Sequence, residues 1–290
     1  MINKLVIIGV GLIGGSVALA LRAAGQVKHI VGVGRSQNNL DAALKLGIID
    51  VAATDAAQAV ANADVVLLAM PVGQVNDVMS AIAAHLSGHT IVTDVGSTKS
   101  DVLRCAQQQL PGHLARFVAA HPIAGAEKSG ATAATADLFR GRAVVLTPMP
   151  ENDPVAVQTV REMWAACGAV VREMAPQEHD AIFAAVSHLP HLLAFVLVDE
   201  IAQRSNAEEL FSFAASGFRD FTRIAGSSPE MWRDICLANQ VALLSELDAY
   251  QAQISRLHAA LEAGDSKALE QIFARASAVR NAWIAQQNTD

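Results

Sequence analysis

Short continuous apolar runs, separated by stretches of helical composition, recur through the first 174 residues. They are LVII (5–8), HIVGVG (29–34), DVVLLAM (64–70), TIVTDV (90–95), RFVAAH (116–121), AVVLTP (143–148) and AVVREM (169–174). Continuous rather than alternating apolar runs predict strands buried on both faces, as in a mainly parallel sheet covered by helices. The segments 38–46, 75–85 and 99–109 between them have helical composition and polar starts. Asp153-Pro154 reads as an N-cap with a first-turn proline, opening a helix that runs to Cys167. Alternation of strand and helix predicts a doubly wound, Rossmann-type α/β domain over residues 1–173.

From about Pro176 the strand signal fades. Segments 178–204, 207–215, 229–261 and 266–287 show helical spacing, with breaks at Gly217, Gly226 and Gly264. The stretch FVLVDEIA is apolar on more than one face, which places it inside a bundle or between two subunits. Residues 174–290 are therefore expected to form an all-α dimerisation domain, and the protein a homodimer.

One segment admits another reading. Residues 5–21 carry no charge, and Gly11-x-x-x-Gly15 imitates a membrane-helix contact motif. Its internal glycines would each cost a spanning helix about 1 kcal/mol relative to alanine, so a strand, a glycine turn and a helix from Ile13 to Ala24 is the better division. Composition agrees with a folded protein, with 52% hydrophobic and 17% charged residues. A net charge of −7 argues against a nucleic-acid partner. Three scattered cysteines, with no CxxC, read as thiols of a reducing compartment. A cytoplasmic protein without membrane association is expected.

The turn Gly9-Val10-Gly11-Leu12-Ile13-Gly14 follows a strand and opens a helix, the context a dinucleotide fingerprint requires. Gly9 permits the tight turn, Gly11 lets the backbone approach a pyrophosphate, and Gly14 allows helix and strand to pack closely. The amides of Leu12 and Ile13 and the positive helix end then hold phosphate. The second strand ends Val33-Gly34-Arg35-Ser36, where an NAD site usually places an acid for the ribose 2′-hydroxyl. Arg35 and Ser36 suit a 2′-phosphate instead, so NADP is expected to be favoured, with NAD as the alternative. Gly34, Met70 and Pro71, at strand ends, complete the expected cofactor-binding set.

Ligands of doubly wound sheets sit at the carboxyl ends of the strands. Two polar clusters fall there, Asp94-Val95-Gly96-Ser97-Thr98-Lys99 and His121-Pro122-Ile123-Ala124-Gly125-Ala126-Glu127-Lys128-Ser129-Gly130. A histidine suits taking a proton from an alcohol as hydride leaves for nicotinamide, although a strand-end His-Pro is also an ordinary structural feature. The helical half adds Ser187-His188-Leu189-Pro190-His191 and Gly217-Phe218-Arg219-Asp220-Phe221-Thr222-Arg223. His188 and His191 share a helix face, but no third ligand stands near in sequence, so no metal is expected. The arginines flanking Asp220 form a structural ion pair, or one clamps a substrate carboxylate. Unaided, the residues describe a nicotinamide oxidoreductase for a small anionic substrate.

The ordered set GVGLIGGS (9–16), DVGSTKS (94–100), HPIAGAEKSG (121–130), SHLPH (187–191) and GFRDFTRIAGSSPEMW (217–232) resembles the prephenate/arogenate dehydrogenase family of tyrosine biosynthesis, over nearly the whole chain. The resemblance implies an oxidative decarboxylation of prephenate to 4-hydroxyphenylpyruvate, or of arogenate to tyrosine. Hydride leaves the hydroxyl-bearing ring carbon, carbon dioxide leaves the opposite one, and aromatisation drives the reaction without a metal. It makes His121 the acceptor of the hydroxyl proton, with Ser97 sharing that hydroxyl. Arg223 would bind a substrate carboxylate, organised by Asp220. Ser187, His188 and His191 would line the substrate pocket, and Glu127 would gate it.

Two departures from the family pattern stand out: Ala126 replaces a frequent hydroxyl residue, and the acid after the second strand is missing. The length leaves no room for a fused mutase or regulatory domain, so any tyrosine inhibition is expected at the active site. A β-hydroxyacid dehydrogenase would need a catalytic lysine in the helical half, where Lys267 stands alone in a polar turn. A non-catalytic NADP sensor would not need His121, Ser97 and Arg223 together.

Overall fold

The computed structural model describes residues 1–126 and 128–287. The first strands and helices alternate as expected: β1 (Ile2–Ile8), α1 (Leu12–Ala23), β2 (Val27–Val33), α2 (Gln37–Lys45), β3 (Val51–Ala53), α3 (Ala56–Ala59), β4 (Val65–Leu68), α4 (Val75–Ile82), β5 (Ile91–Asp94), α5 (Ser100–Gln109) and β6 (Phe117–Val118). Every pairing among these strands is parallel, in the spatial order β3-β2-β1-β4-β5-β6. That order is the Rossmann arrangement, with its switch point between β1 and β4.

Strand β1 shows why the apolar runs are continuous. Leu5 and Ile7 pack into the core on one face of the sheet, Val6 and Ile8 into the core on the other. Helices cover both, so neither side of the strand meets water. Polar caps start the helices where expected. Ser36 accepts from the Asn39 amide at the start of α2, and Asp153 accepts from the Val155 amide at the start of α6 (Pro154–Ala166).

The expected single sheet is in fact two. β7 (Ala120–Pro122), β8 (Ala143–Leu146) and β9 (Val170–Glu173) form a separate sheet, in which β8 runs antiparallel to β7 and parallel to β9. The run 116–121 contributes to both sheets, because the chain leaves β6 at Val118 and enters β7 at Ala120. Asp94 ties that junction down: its Oδ1 accepts from the Ala120 amide at 3.0 Å.

After β9 come α7 (Pro176–Phe183), a single π turn (Ala184–His188), α8 (Leu189–Ala202), α9 (Ala207–Ser212), α10 (Ser216–Thr222) and α11 (Pro229–Ala238). The run Pro176–Ala202 is long and apolar enough to cross a membrane by length and composition. Yet it carries His179, Asp180 and His188, all buried. Trp232 and Ile235 of α11 pack into the core cluster that holds Val6 and Val72. The expected helix 229–261 is divided at Asn239, whose side chain is drawn into the site described below.

The chain divides into two compact units, Met1–Gln240 and Val241–Asp290. The first takes in the Rossmann elements and the helices up to α11, with Trp232 and Ile235 of α11 in a core shared with the sheet. The second unit holds nearly all of α12 (Gln240–Glu262), together with α13 (Ser266–Gln287), joined by a turn at Gly264 in the left-handed region.

Candidate active site

The glycine turn is shaped as its residues require. Gly9 adopts φ +102°, and a Cβ there would lie 2.3 Å from the Ala69 carbonyl oxygen. A Cβ on Gly14 would lie 2.3 Å from the Gly9 carbonyl oxygen. Gly11 differs: a Cβ there meets nothing within 4 Å. The turn is thus packed against the end of β4 on one side and open at Gly11, the N-cap of α1, where first-turn amides face outward. Met70 borders the same turn through its backbone nitrogen, 3.1 Å from the ideal Gly9 Cβ. An open cradle of backbone donors at a helix N-terminus fits a pyrophosphate. Asn39 braces the cradle, donating to the Val10 carbonyl at 2.7 Å and accepting from the Ala131 amide at 2.9 Å.

At the end of β2, Gly34 is half-buried against Leu40, and Arg35 and Ser36 are exposed. The Ser36 hydroxyl oxygen already caps α2. Pro71 lies half-buried at the end of β4.

A buried ionic centre lies at the carboxyl end of β5. Lys99 donates from Nζ to Asp94 Oδ2 at 2.5 Å and to the Ala120 carbonyl at 2.8 Å. Asp94 also accepts from the amides of Gly96 and Ala120. Both peptide groups of residue 120 are therefore gripped by this pair, which fixes where His121 emerges on β7. Ser97, half-buried, sits in the intervening turn.

His121 Nδ1 lies 2.8 Å from His179 Nε2, and His179 Nδ1 lies 2.8 Å from Asp180 Oδ1. Phe183 packs against both rings, with centroids at 4.9 and 4.5 Å. His121 keeps an opening to solvent, yet burial pushes its pKa well below the histidine range, helped by His179, Lys99 and His188.

The π turn brings His188 to the same region. Its Nδ1 accepts from Asn239 Nδ2 at 3.0 Å, and the same amide group donates to the Asp180 carbonyl at 2.8 Å. Because one NH2 serves both acceptors, Nδ1 of His188 is bare and Nε2 carries the proton. Burial lowers the His188 pKa to about 4. His191 donates from Nδ1 to the Ser187 carbonyl at 2.8 Å and stacks on Trp232 with centroids 3.8 Å apart. Burial lowers its pKa as well, and the charge of Arg223 acts in the same direction. The two histidines thus serve different partners.

Arg223 begins the 3₁₀ turn after α10, and Asp220 lies on that helix one turn earlier. Glu127 lies outside the described residues. His121 and His188 lie close enough to act on each other's charge, as do His188 and His191, and the Ser97 backbone contacts His188. His179, Asp180 and Asn239 were not foreseen. The only signal was EHD (178–180), three adjacent titratable residues near the start of α7.

A Rossmann sheet with an open glycine cradle, and a buried histidine cluster beyond the carboxyl end of β5, are the parts of a nucleotide-binding oxidoreductase. Residues 17–173 match the nucleotide-binding domain of prephenate dehydrogenase, and residues 175–275 match that family's dimerization domain. Prephenate dehydrogenase of Bacillus subtilis is 38% identical, the alignment covering 99% of this chain and 78% of the relative. Cyclohexadienyl dehydrogenase of Zymomonas mobilis is 34% identical, over 96% of this chain and 95% of the relative. Prephenate dehydrogenase of Aquifex aeolicus, solved with hydroxyphenyl propionate and NAD+, superposes with a TM-score of 0.88 at 34% identity. That match covers 100% of this chain and 99% of the other. Arogenate dehydrogenase of Synechocystis superposes with a TM-score of 0.80 at 29% identity, over 97% and 99%. The chain belongs to the prephenate dehydrogenase family, and is an oxidoreductase of that family.

Proposed function

We propose that this enzyme converts prephenate to 4-hydroxyphenylpyruvate with a nicotinamide dinucleotide, through His121. The observation that carries the assignment is the position of His121: a neutral imidazole, partly open to solvent, on β7 next to the Ala120 peptide that Lys99 and Asp94 hold. When bound, the cofactor supplies the hydride acceptor, its pyrophosphate held by Gly9, Gly11, Leu12, Ile13 and Gly14, with Gly34, Met70 and Pro71 beside it. His121 takes the substrate hydroxyl proton as hydride leaves the same ring carbon. The electron pair of the broken ring–carboxyl bond then fills the ring and releases carbon dioxide, and the phenolate recovers the proton from His121. No metal is required, since aromatisation drives the step. Ser97 orients the hydroxyl. Arg223, braced by Asp220, takes a carboxylate, while Ser187, His188 and His191 line the pocket and Glu127 gates it.

The working division is a cofactor portion, residues 1–173, and a substrate and dimerisation portion, residues 174–290. Homodimerisation is supported by the apolar side chains α12 and α13 leave exposed, among them Leu244, Ile254, Phe273 and Trp283. Arg35 favours NADP over NAD, although a relative's structure holds NAD+. Placement in the cytoplasm, away from membranes and nucleic acid, follows from a small-molecule biosynthetic role and an acidic composition. Arogenate is the second substrate to test, because relatives carry both the cyclohexadienyl and the arogenate names.

The test is absorbance at 340 nm with prephenate or arogenate crossed with NAD or NADP. Turnover with prephenate is expected, and turnover with arogenate alone would move the substrate assignment. His121→Asn should keep cofactor binding and lose at least about a hundredfold in kcat. Unchanged turnover in that variant would remove His121 from the mechanism.

A further inference from the structure

We propose that His179 and Asp180 are positioning residues that hold His121 in the Nδ1–H form, leaving Nε2 unprotonated and ready to accept the substrate's hydroxyl proton. The proposal rests on His121 being the base. It follows from counting donors along three side chains.

Asp180 is the fixed end. Its Oδ1 accepts from the Lys99 amide at 2.8 Å as well as from His179, and its Oδ2 accepts from the Ser100 amide at 2.8 Å. Burial alone would raise its pKa, but the bonds from His179, Ser100 and Lys99 outweigh it and hold the group below the carboxylate range. Asp180 is therefore an ionised acceptor, with no proton to give. Nδ1 of His179, 2.8 Å away, must be the donor.

His179 has no exposed surface, and burial keeps its pKa below the histidine range against the pull of Asp180. It is neutral, so with Nδ1 protonated its Nε2 is a bare lone pair. That nitrogen faces His121 Nδ1 at 2.8 Å. Two lone pairs at this distance would repel, so His121 Nδ1 carries a proton and donates it. His121 is neutral too, and its Nε2 is left bare. The opposite tautomer would present an N–H to the substrate and could not act as a base.

The arrangement also serves the charged state. When the hydroxyl O–H bond breaks and its proton bonds to Nε2, the new imidazolium donates through Nδ1 to His179. The fixed charge of Asp180 lies one ring further on. No proton needs to leave His179 for this to help, as in hydrolase triads, where a carboxylate orients the imidazole without being protonated. Charge on His121 is opposed by burial, His179, Lys99 and His188, while Asp180 and Asp94 favour charge on His179, the ring that accepts from His121 Nδ1.

The test uses the whole enzyme labelled with 15N-histidine. The His121 resonances are assigned by their loss in His121→Asn. In the resting wild-type enzyme, Nδ1 should show the shift of a protonated ring nitrogen and Nε2 that of a bare one. His179→Phe should raise the Nε2–H population of His121 and lower kcat by about 10²–10⁴-fold, with the substrate KM within about threefold of wild type. His179→Gln, whose carboxamide oxygen can still accept from Nδ1, should recover at least about tenfold of that loss.

An Nε2–H resting tautomer in the wild-type protein would overturn the proposal, and so would a His179→Phe enzyme with kcat within about threefold of wild type. If His179→Phe does not fold, the wild-type tautomer alone decides. Failure of the base assignment would be visible separately, as retained turnover in His121→Asn.

Discussion

Lys99 and Asp94 form an ion pair at 2.5 Å with at most 1% of either side chain exposed. It sits where the two sheets meet and holds both peptide groups of Ala120. Removing one partner would leave a buried charge without its counter-ion. Asp94→Ala should therefore destabilise the protein by about 3–5 kcal/mol. Lys99→Met should cost less, because Asp94 keeps the amides of Gly96 and Ala120. Urea midpoints measure both, and a loss below about 1 kcal/mol for Asp94→Ala would mean the site relaxes around the lysine.

The glycine turn separates packing from binding. Gly14→Ala places a Cβ 2.3 Å from a backbone oxygen and 2.8 Å from Ile7 Cγ2, and should cost several kcal/mol or prevent folding. Gly11→Ala enters open space, so stability should stay within about 1 kcal/mol. The methyl then stands where the pyrophosphate must come, and cofactor affinity should fall by about tenfold or more. Thermal denaturation and cofactor titration of the two variants distinguish these effects.

Acid stability follows from His188. Its folded pKa is about 4, below the ordinary 6.5, so between those values the unfolded chain binds the extra proton. Stability is intact above pH 6.5 and is lost as pH falls toward 4. At pH 5 this one group accounts for about 2 kcal/mol. His121, His179 and His191 are shifted in the same direction and add to the loss, while Asp101, whose pKa burial raises, opposes it at lower pH. The difference in unfolding free energy between pH 7 and pH 5 should be about 2 kcal/mol smaller in His188→Gln than in the wild type. Equal differences would contradict the assignment.

Arg223 lies near enough to His191 to act on it electrostatically, in keeping with the proposed carboxylate-binding role. Arg223→Ala should mainly raise the KM for prephenate, by about 10- to 100-fold, as for loss of a charged hydrogen bond worth about 1.5–3 kcal/mol. A KM that does not move, in steady-state assays, would make the arginine structural.

Cofactor choice rests on fewer atoms. Ser36 spends its hydroxyl on the helix cap, so the 2′-phosphate preference falls mainly on Arg35. Arg35→Ala should lower kcat/KM for NADP relative to NAD by about tenfold. An unchanged ratio would make Arg35 an ordinary surface charge.

Much of this was legible in the sequence. The parallel sheet was, because burial on both faces leaves strands no polar positions, as Leu5 to Ile8 show. Strand β3 was not, since three partly exposed residues at a sheet edge carry too little apolar signal. Nor was the division of 116–121 between two sheets, because an apolar run does not encode the direction of its neighbours. His121 and His188 could be picked out by position and motif. His179 and Asp180 showed only as the titratable run EHD, with no sign of a role, because Asp180 is held by the Lys99 and Ser100 amides some 80 residues away. The break at Asn239 has the same origin: its amide answers to Asp180 and His188 rather than to the helix pattern around it.

The π turn at Ala184–His188 lets the helix carry one extra residue ahead of the site. A π turn amounts to one extra residue in an α-helix, and each residue rotates a helix by about 100°. Deleting a single residue between Ala184 and Ser187 would let the turn relax into plain α-helix without removing any chemical group. Because the turn already takes up that residue, His191 and all that follows on α8 would keep their phase relative to His179 and Asp180, whereas deleting one residue more would turn them by about 100°. The proton-handling and substrate-facing halves of the pocket are thus held in phase by the chain's spacing at one turn.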